Sequence, residues 1–431
     1  MGREVRDPGG AKRERIRRPV FAVALHDGFY GTGTGAGHSN RAFVRTLAGL
    51  LDHRVRLVIL PIRLSPGDYG YDRQWHQDMR GLIDRRGGEV RPLDNGTKGS
   101  NWGGLTAFRI LSNHLLSVLA EDVVPGAEHV AVVAFDVPFM GFATQLPPGL
   151  LSSVALVPRA SRRLHDPGDH ELIHWEEHGM HAVAAGGGRI AATSAYMRRH
   201  LCAEYGVPPE ALVDLTNGLV STDLLFGPEV PELDPVCARS GFLFAMGRAV
   251  AHKGFEDLLD ALAILRAEAV RLPPLVLAPV RFNSMASAHT YQQRLRAQGS
   301  ALGLQVQWME RFSHRVRNIL AHPGVRAVIV PSRVEPFGRV PLEAFAAGAA
   351  PVVATRAGGL AEQVVEGVTG YTANPADPES LAGAVRRALS VTDEQRGRLR
   401  ARGRELLTSR FDYERAIRNF VRQIAPWALC R

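Results

Sequence analysis

Short runs of apolar, often β-branched residues alternate along the chain with longer stretches whose apolar residues recur every three or four positions. The first pattern predicts buried strands and the second predicts amphipathic helices. Strands are expected at 20–25, 55–60, 129–135, 154–157, 189–194, 241–246, 275–278, 306–308, 327–330 and 351–354. Helices are expected at 106–119, 171–185, 195–205, 342–347, 381–389, 394–407 and 414–424. Strands that alternate with helices in this way predict an α/β fold with doubly wound parallel sheets.

The chain has 431 residues, which is enough for two domains with sizeable cores. A stretch rich in proline and acidic residues at 227–240 predicts a linker between them. We therefore expect a first domain at 19–226 and a second at 241–412. The charged, glycine-rich residues 1–18 are expected to form a flexible basic tail, and 413–431 to hold a last helix.

Charge and cysteine content exclude several classes of protein. The net charge is +9, but the basic residues are spread along the chain except at 12–18, and a nucleic-acid-binding face would concentrate them. Anionic lipid headgroups remain a possible partner. The three cysteines form neither a metal-spaced pair nor a disulfide framework, and no apolar run approaches a membrane span. These features predict a cytoplasmic protein without integral membrane association and without a nucleic-acid partner.

The most informative stretch is 326–359, where a strand, a loop, a helix and a second strand follow one another. The N–H groups of Gly338, Arg339 and Val340 are predicted to lie at the helix N-terminus, where an anion is favoured. Glu335 precedes this helix and Glu343 lies one turn inside it. Carboxylates beside an anion site suit the hydroxyls attached to that anion, as in a nucleotide-diphosphate sugar.

This stretch carries a family resemblance. The two glutamates are separated by seven residues, EPFG begins the motif, and AAG, PVVAT and GG follow in register. The pattern resembles the donor site of retaining GT-B glycosyltransferases of family four, which include glycogen synthase-like donor domains. The resemblance implies two Rossmann-like domains facing across a cleft, with the last helix packing back on the first domain. It also implies a nucleotide-sugar donor, a small-molecule or glycan acceptor, and no cofactor.

The loop after strand 241–246 holds Arg248 and Lys253, which are close enough in sequence to bind one anion together. Lys253 is one of three lysines in an arginine-biased chain. The G-R-x-x-x-x-K-G pattern is similar to the diphosphate clamp of the family. The resemblance assigns catalytic roles to Arg248, Lys253 and Glu335, assigns ribose binding to Glu343, and places Glu362 in the family's Gly-Gly-x-x-Glu position.

A second glycine-rich loop, at 31–37, lies between the first strand and the next helical stretch. By resemblance, Gly35 and Gly37 face the donor phosphates. Nicotinamide dinucleotide binding is disfavoured because strand 55–60 ends without an acidic residue for a ribose. A flexible surface loop is the other interpretation.

The acceptor side is less specified. His38, Asp136 and Arg159 follow predicted strands of the first domain, and Arg159 stands where many family members place a histidine, with His165 and Asp166 further on. The polar segment 63–104 is expected to be irregular and to touch the acceptor, or to be a solvated excursion. Its candidate contact residues are Asp68, Tyr69, Asp72, Trp75 and Trp102. An amine-bearing acceptor, such as an aminocyclitol of antibiotic biosynthesis, is a hypothesis that rests on Asp68, Asp72, Asp78, Asp84 and Asp94.

Two observations concern metals. His174, His178 and His181 share roughly one helix face, which fits either a metal site or a partly exposed surface. No two aspartates stand two positions apart, so the D-x-D metal motif of the other large glycosyltransferase fold is absent from the sequence. We expect metal-independent activity.

The sequence is compatible with three hypotheses of function. The first is a retaining glycosyltransferase, acting on a small acceptor or on a cell-envelope glycan or glycolipid. The second is a phosphorylase- or epimerase-like enzyme with the same fold. The third is a non-catalytic nucleotide-sugar-binding protein, which would typically lack one of Arg248, Lys253, Glu335 and Glu343.

Overall fold

The computed structural model describes residues 17–32, 34–68, 70–97, 104–281, 286–311 and 313–430. Two parallel sheets organise these residues. The first has seven strands in the order β3-β2-β1-β4-β5-β6-β7, and the second has six in the order β10-β9-β8-β11-β12-β13. In each sheet the direction in which the strand numbers run reverses once. The reversal lies between β1 and β4 in the first sheet and between β8 and β11 in the second. Ligands of doubly wound sheets bind outside the carboxyl ends of the strands at such points.

The strands of the first sheet are β1 (Arg18–Leu25), β2 (Arg56–Pro61), β3 (Glu89–Val90), β4 (Ala127–Phe135), β5 (Val154–Val157), β6 (Arg189–Ala192) and β7 (Leu212–Asp214). Those of the second are β8 (Phe242–Arg248), β9 (Leu275–Val280), β10 (Val306–Trp308), β11 (Val325–Val330), β12 (Val352–Thr355) and β13 (Tyr371–Ala373).

The first seven helices are α1 (Gly35–Leu50), α2 (Arg73–Arg85), α3 (Gly104–Val118), α4 (Pro148–Leu151), α5 (Arg162–His165), α6 (His170–Ala185) and α7 (Ala195–Tyr205). The remaining helices are α8 (Pro235–Ser240), α9 (Phe255–Ala267), α10 (Ala286–Ala301), α11 (His314–Asn318), α12 (Val340–Ala347), α13 (Pro378–Leu389), α14 (Asp393–Arg410) and α15 (Tyr413–Ile424).

Successive residues of the central strands enter different cores, which explains their continuous apolar runs. In β1, Phe21 and Val23 belong to one buried cluster, whereas Ala22 and Ala24 belong to another on the opposite face. In β8, Phe244 and Leu243 divide in the same way. A parallel sheet buried on both faces needs apolar residues at every position. The α/β class with two Rossmann-like sheets is therefore confirmed.

The chain passes between the domains twice, and the two passages lie side by side. Leu219 and Asp412 form a parallel bridge, in which Leu219 N–H donates to the Phe411 carbonyl and Tyr413 N–H donates to the Leu219 carbonyl. The chain then enters α15, whose Phe420 and Val421 are buried in the core cluster that contains Phe21. The last helix thus packs on the first domain.

Some elements differ from the sequence-based expectations. The segment 63–104, expected to be irregular, contains α2 and β3, because Trp75, Met79 and Ile83 recur every four residues and are buried. Tyr69 and Trp102 lie outside the described residues. The expected linker at 227–240 ends in α8, whose Cys237 packs in the core of the second domain. Helix α10 was not predicted.

Candidate active site

The loop between β11 and α12 places Glu335 at the carboxyl edge of the second sheet. Its carboxylate accepts a hydrogen bond from Lys253 Nζ in an ion pair, and Ser332 Oγ lies 3.3 Å from Glu335 Oε2. The Lys253 and Glu335 side chains are 18% and 12% exposed. Two predicted catalytic residues are therefore together, and their opposite charges form an ion pair.

Gly338 is required by the shape of this loop. Its φ is +81°, and a Cβ there would lie 2.6 Å from Leu360 Cδ2 and 2.9 Å from Glu335 Cγ. The Gln363 side-chain amide donates to the carbonyls of Phe337 and Gly338 at 2.8 and 2.9 Å. These contacts fix the backbone that leads into the N-terminus of α12.

The loop that carries Arg248 and Lys253 is joined to the Glu335 loop by backbone hydrogen bonds. Arg333 N–H donates to the His252 carbonyl at 2.8 Å. Gly254 has a φ of +67°, and a Cβ there would lie 2.0 Å from the Pro331 carbonyl oxygen. Arg248 ends β8 and is exposed. Among the described residues no carboxylate lies within ion-pair distance of Arg248, so its charge is available to an anion.

Glu343 has partners that the sequence analysis did not identify. Its Oε1 lies 3.3 Å from Arg339 Nε and 3.7 Å from Arg317 Nε, and its side chain is 11% exposed. The sequence predicts a role only for the backbone N–H of Arg339. Its side chain is also buried and reaches the first domain, where Nη1 donates to Ser39 Oγ at 3.3 Å.

The first domain contributes a residue that the sequence analysis noted but assigned no role, His165 at the end of α5. Its ring centroid lies 4.9 Å from that of His252 across the cleft. Burial, followed by the positive charge of Arg248, lowers the pKa of His165 to about 4. Burial and the charge of Lys253 lower the pKa of His252 to about 3. Both rings are therefore neutral at pH 7.

Helix α5 is anchored by buried polar groups. Both oxygens of Glu176 accept from Arg162 N–H, at 3.1 and 3.0 Å, and Glu176 also accepts from the Tyr205 hydroxyl. Ser161 caps the helix and contacts His200 Nε2 at 2.8 Å. Burial raises the pKa of Glu176 to about 7. The polar pair at 165–166, which begins eight residues beyond the end of β5, is the sequence signal for His165.

The glycine loop does not leave both predicted glycines open to phosphate. Helix α1 begins at Gly35, and Thr34 caps it by accepting from Gly37 N–H at 3.0 Å. A Cβ on Gly37 would lie 2.0 Å from Thr32 Oγ1, so Gly37 is needed for close packing and its amide is already bonded. Gly35 is exposed, and a Cβ on it would lie 3.4 Å from Arg339 Cδ.

Two residues predicted on the acceptor side are buried in the first domain instead. Arg159 Nε donates to Asn40 Oδ1 at 2.6 Å and Nη2 donates to the Tyr413 hydroxyl at 2.8 Å, so Arg159 fastens α15 to the domain. Asp136 accepts from Arg159 N–H at 3.2 Å, and its other oxygen lies 3.4 Å from His26 Nδ1. Both side chains are more than nine-tenths buried.

The remaining acceptor-side candidates are held by local contacts. His38 is half-buried, with its ring centroid 5.2 Å from that of Trp75. The five aspartates of segment 63–104 each have a structural partner. Asp68 accepts from Ser65 N–H, Asp72 caps α2, Asp78 contacts Arg41 and Gln74, Asp84 pairs with Arg80, and Asp94 accepts from Gly96 N–H. Each of the five carboxylates is thus engaged in a contact within the protein.

The histidines of α6 do not form a metal site. The rings of His174 and His178 lie 5.7 Å apart, but His181 Nε2 is 2.7 Å from the Tyr205 carbonyl oxygen. Within the described part of the chain no group of three or more His, Cys, Asp or Glu side chains could hold a metal ion. No helix in that part is long and apolar enough to span a membrane.

The domains also touch directly beside the Glu335 loop. The two carboxylate oxygens of Glu362 accept from the N–H groups of Ala195 and Tyr196 at 3.1 and 2.7 Å, at the N-terminus of α7. Ser194 Oγ donates to the Pro336 carbonyl at 2.9 Å. Glu362 therefore caps a helix of the opposite domain and connects the two domains beside the Glu335 loop.

Comparisons with known proteins agree with this geometry. Residues 238–406 match the family model described as glycosyl transferases group 1. The chain is 31% identical over 227 residues to a glycogen synthase of Mycobacterium tuberculosis, covering 52% of this chain and 51% of that one. It is 35% identical over 225 residues to D-inositol 3-phosphate glycosyltransferase 1 of Catenulispora acidiphila, covering 48% and 50%. The chain thus spans about half the length of these curated relatives.

Solved structures resemble the whole chain. Sucrose-phosphate synthase from Thermosynechococcus elongatus superposes with a TM-score of 0.68 at 18% identity, covering 95% of this chain and 99% of that one. Anabaena HepE, in complex with UDP and glucose, has a TM-score of 0.65 at 16% identity, covering 95% and 100%. These similarities establish that the two facing domains form a GT-B fold.

Proposed function

Because residues 238–406 match the family model of glycosyl transferases group 1, we propose that the protein is a glycosyltransferase that moves a sugar from a nucleotide-diphosphate donor to an acceptor hydroxyl. The observation that carries the proposal is the joined pair of loops holding Arg248, Lys253 and Glu335. The loops sit at the carboxyl edge of the second sheet, between β8 and β11, where the strand order reverses. Two cations and one carboxylate there suit a diphosphate that carries a sugar.

In the proposed reaction the donor diphosphate binds Arg248 and Lys253, with the helix N-terminus at Gly338–Val340 supplying further N–H groups. Negative charge grows on the leaving phosphate, and each preorganised cation lowers the barrier by about 3–4 kcal/mol. Glu335 accepts hydrogen bonds from the donor sugar, and Glu343 accepts one from the ribose. Transfer proceeds on the front face with retention of anomeric configuration, and the leaving phosphate takes the acceptor proton.

His165 completes this site from the first domain. Its Nδ1 is buried and has no hydrogen-bond partner among the described residues. A neutral imidazole among Arg248, Lys253 and Glu335 has a ring nitrogen for a hydroxyl of the sugar or of the acceptor. Arg159, which stands at the position of the family histidine, does not take this role, since it is bonded to Asn40 and Tyr413.

The acceptor is proposed only by class, as a molecule with a free hydroxyl. An aminocyclitol stays a hypothesis without support from segment 63–104, whose aspartates are locally bonded. Relatives named for glucan, lipopolysaccharide and inositol phosphate define the acceptors to try first.

The test is a thermal-shift screen of the wild-type protein with UDP-, GDP-, ADP- and dTDP-glucose. A bound ligand raises the melting temperature by mass action. Lys253→Ala and Glu343→Ala should lose the shift, whereas Arg398→Ala, an exposed arginine of α14, should keep it. Nucleoside diphosphate release is then measured with oligoglucan, inositol phosphate and lipid-linked glycan acceptors. If no nucleotide sugar stabilises the wild type or supports release, the proposal fails. Formation of a sugar 1-phosphate from an oligoglucan and inorganic phosphate would identify a phosphorylase instead.

A further inference from the structure

The side chain of Arg339 joins the donor site of the second domain to three segments of the first. Its Nη2 lies 3.1 Å from Asp223 Oδ2, and its Nη1 donates at 3.3 Å both to Ser39 Oγ and to the Gly218 carbonyl. Its Nε donates to Glu343 Oε1 at 3.3 Å. All three guanidinium nitrogens are thus used, and only one of these contacts stays within its own domain.

Asp223 lies at the first passage between the domains, four residues after Leu219. The 3₁₀ turn Ser221–Leu224 follows the Leu219 bridge, and Asp223 Oδ2 accepts from Val220 N–H at 3.1 Å. Arg317 of α11 binds the same turn, because its guanidinium donates to the carbonyls of Asp223 and Leu225. Arg317 also approaches Glu343 Oε1, so both arginines connect the interdomain passage with one oxygen of Glu343.

The charges of this cluster balance. Arg317 and Arg339 face Asp223 and Glu343, and the Arg339 side chain is only 8% exposed. Burial acts to raise the pKa of Asp223, but the charge and hydrogen bond of Arg339, together with the hydrogen bond from Val220 N–H, hold that pKa below its usual range. Neutralising Asp223 would leave Arg339 with Glu343 as its main counter-charge and would tighten that ion pair.

We propose that Asp223 is a positioning residue for donor recognition, which acts through Arg339 to hold Glu343 with one oxygen on the arginines and the other presented to the ribose hydroxyls. The inference rests on the proposed function, since it takes the ligand of Glu343 to be a nucleoside diphosphate. If the inference holds, the contact between Glu343 of the second domain and the ribose depends on the Asp223 carboxylate at the interdomain passage. Asp223 itself touches no substrate.

The test compares the affinities of UDP, GDP and ADP with those of their 2′,3′-dideoxy counterparts, measured by calorimetry on the full chain. Hydrogen bonds to a charged group are expected to give the wild type a ribose preference of about 10- to 100-fold. Asp223→Asn should reduce this preference to below about threefold while the dideoxy nucleotide binds nearly as before. Ser39→Ala, which removes one contact of Arg339, should reduce the preference less.

A merely structural role would weaken both nucleotides equally and leave their ratio unchanged. Glu414→Gln is the matched control, because Glu414 binds Ser221 at the same passage without touching Arg339. An unchanged ratio in Asp223→Asn, or no ribose preference in the wild type, would overturn the inference while donor binding stands. Failure of every nucleoside diphosphate to bind the wild type would instead overturn the proposed function.

Discussion

The ion pair between Lys253 and Glu335 allows its structural and catalytic contributions to be separated. The perturbations are Lys253→Met, Glu335→Gln and the double variant. Both side chains are less than one-fifth exposed. Two charges at close range attract by about 4 kcal/mol at an effective dielectric constant of about 20, and removing one partner leaves the other buried and uncompensated.

Each single variant should therefore lose about 2–3 kcal/mol of unfolding free energy, whereas the double variant should lose less than about 1 kcal/mol. Melting temperatures measured by calorimetry should fall by about 5–10 °C in the single variants. Arg386 and Glu268 provide a matched control, since this surface pair is 46% and 47% exposed. Its double-mutant cycle should give less than about 1 kcal/mol.

The variants should rank differently in catalytic activity than in stability. Both variants without Lys253 should lose about 10²- to 10³-fold in kcat, because the cation that opposes charge on the leaving phosphate is gone. Recovery of stability in the double variant should not restore turnover. The reasoning is refuted if the single variants are no less stable than the Arg386 and Glu268 controls, or if the double variant keeps wild-type kcat.

Three further predictions use other parts of the site. His165→Phe should lower kcat at least tenfold with little change in melting temperature, and His165→Asn should recover part of the lost kcat. Equal kcat values for the wild type and both variants would exclude a catalytic hydrogen bond from His165. In the folded state burial raises the pKa of Glu176 to about 7. The free energy of unfolding should therefore fall by about 3 kcal/mol as pH rises from about 4.5 to 7, because the unfolded chain releases this proton first. Glu176→Gln should remove this pH dependence from melting curves measured across that range. Turnover should persist in excess EDTA, and loss that Mg²⁺ restores would show that metal is required.

The sequence was sufficient for elements whose determinants are local. Alternating apolar runs predicted β5 and β10 at their observed bounds, and Ser194 with the following residues predicted α7. The motif around Glu335 and the loop of Lys253 were found because each is a contiguous pattern on one sheet edge. Helix α2 was missed because its three buried residues are surrounded by polar and glycine residues, although their spacing of four was visible.

Contacts between distant segments could not be predicted in this way. Ser39 and Arg339 are 300 positions apart, and Arg159 and Tyr413 are 254 apart. The sequence does not distinguish an arginine that is buried in the domain from an arginine that faces a ligand. Either kind can follow a strand at the carboxyl edge of a sheet. That ambiguity explains why Arg159 and Asp136 were assigned to the acceptor and why His165 was not.

The charges of Arg248, Lys253 and Glu335 indicate how the proposed donor binding and sugar recognition are linked. Lys253 is occupied by Glu335, whereas Arg248 has no carboxylate within ion-pair distance among the described residues. We expect a diphosphate that binds Arg248 to compete with Glu335 for Lys253. A buried carboxylate that loses its cation must find other hydrogen-bond donors. The hydroxyls of the donor sugar are the donors that arrive with the diphosphate, so a nucleoside diphosphate without a sugar should bind this site less favourably than the complete nucleotide sugar.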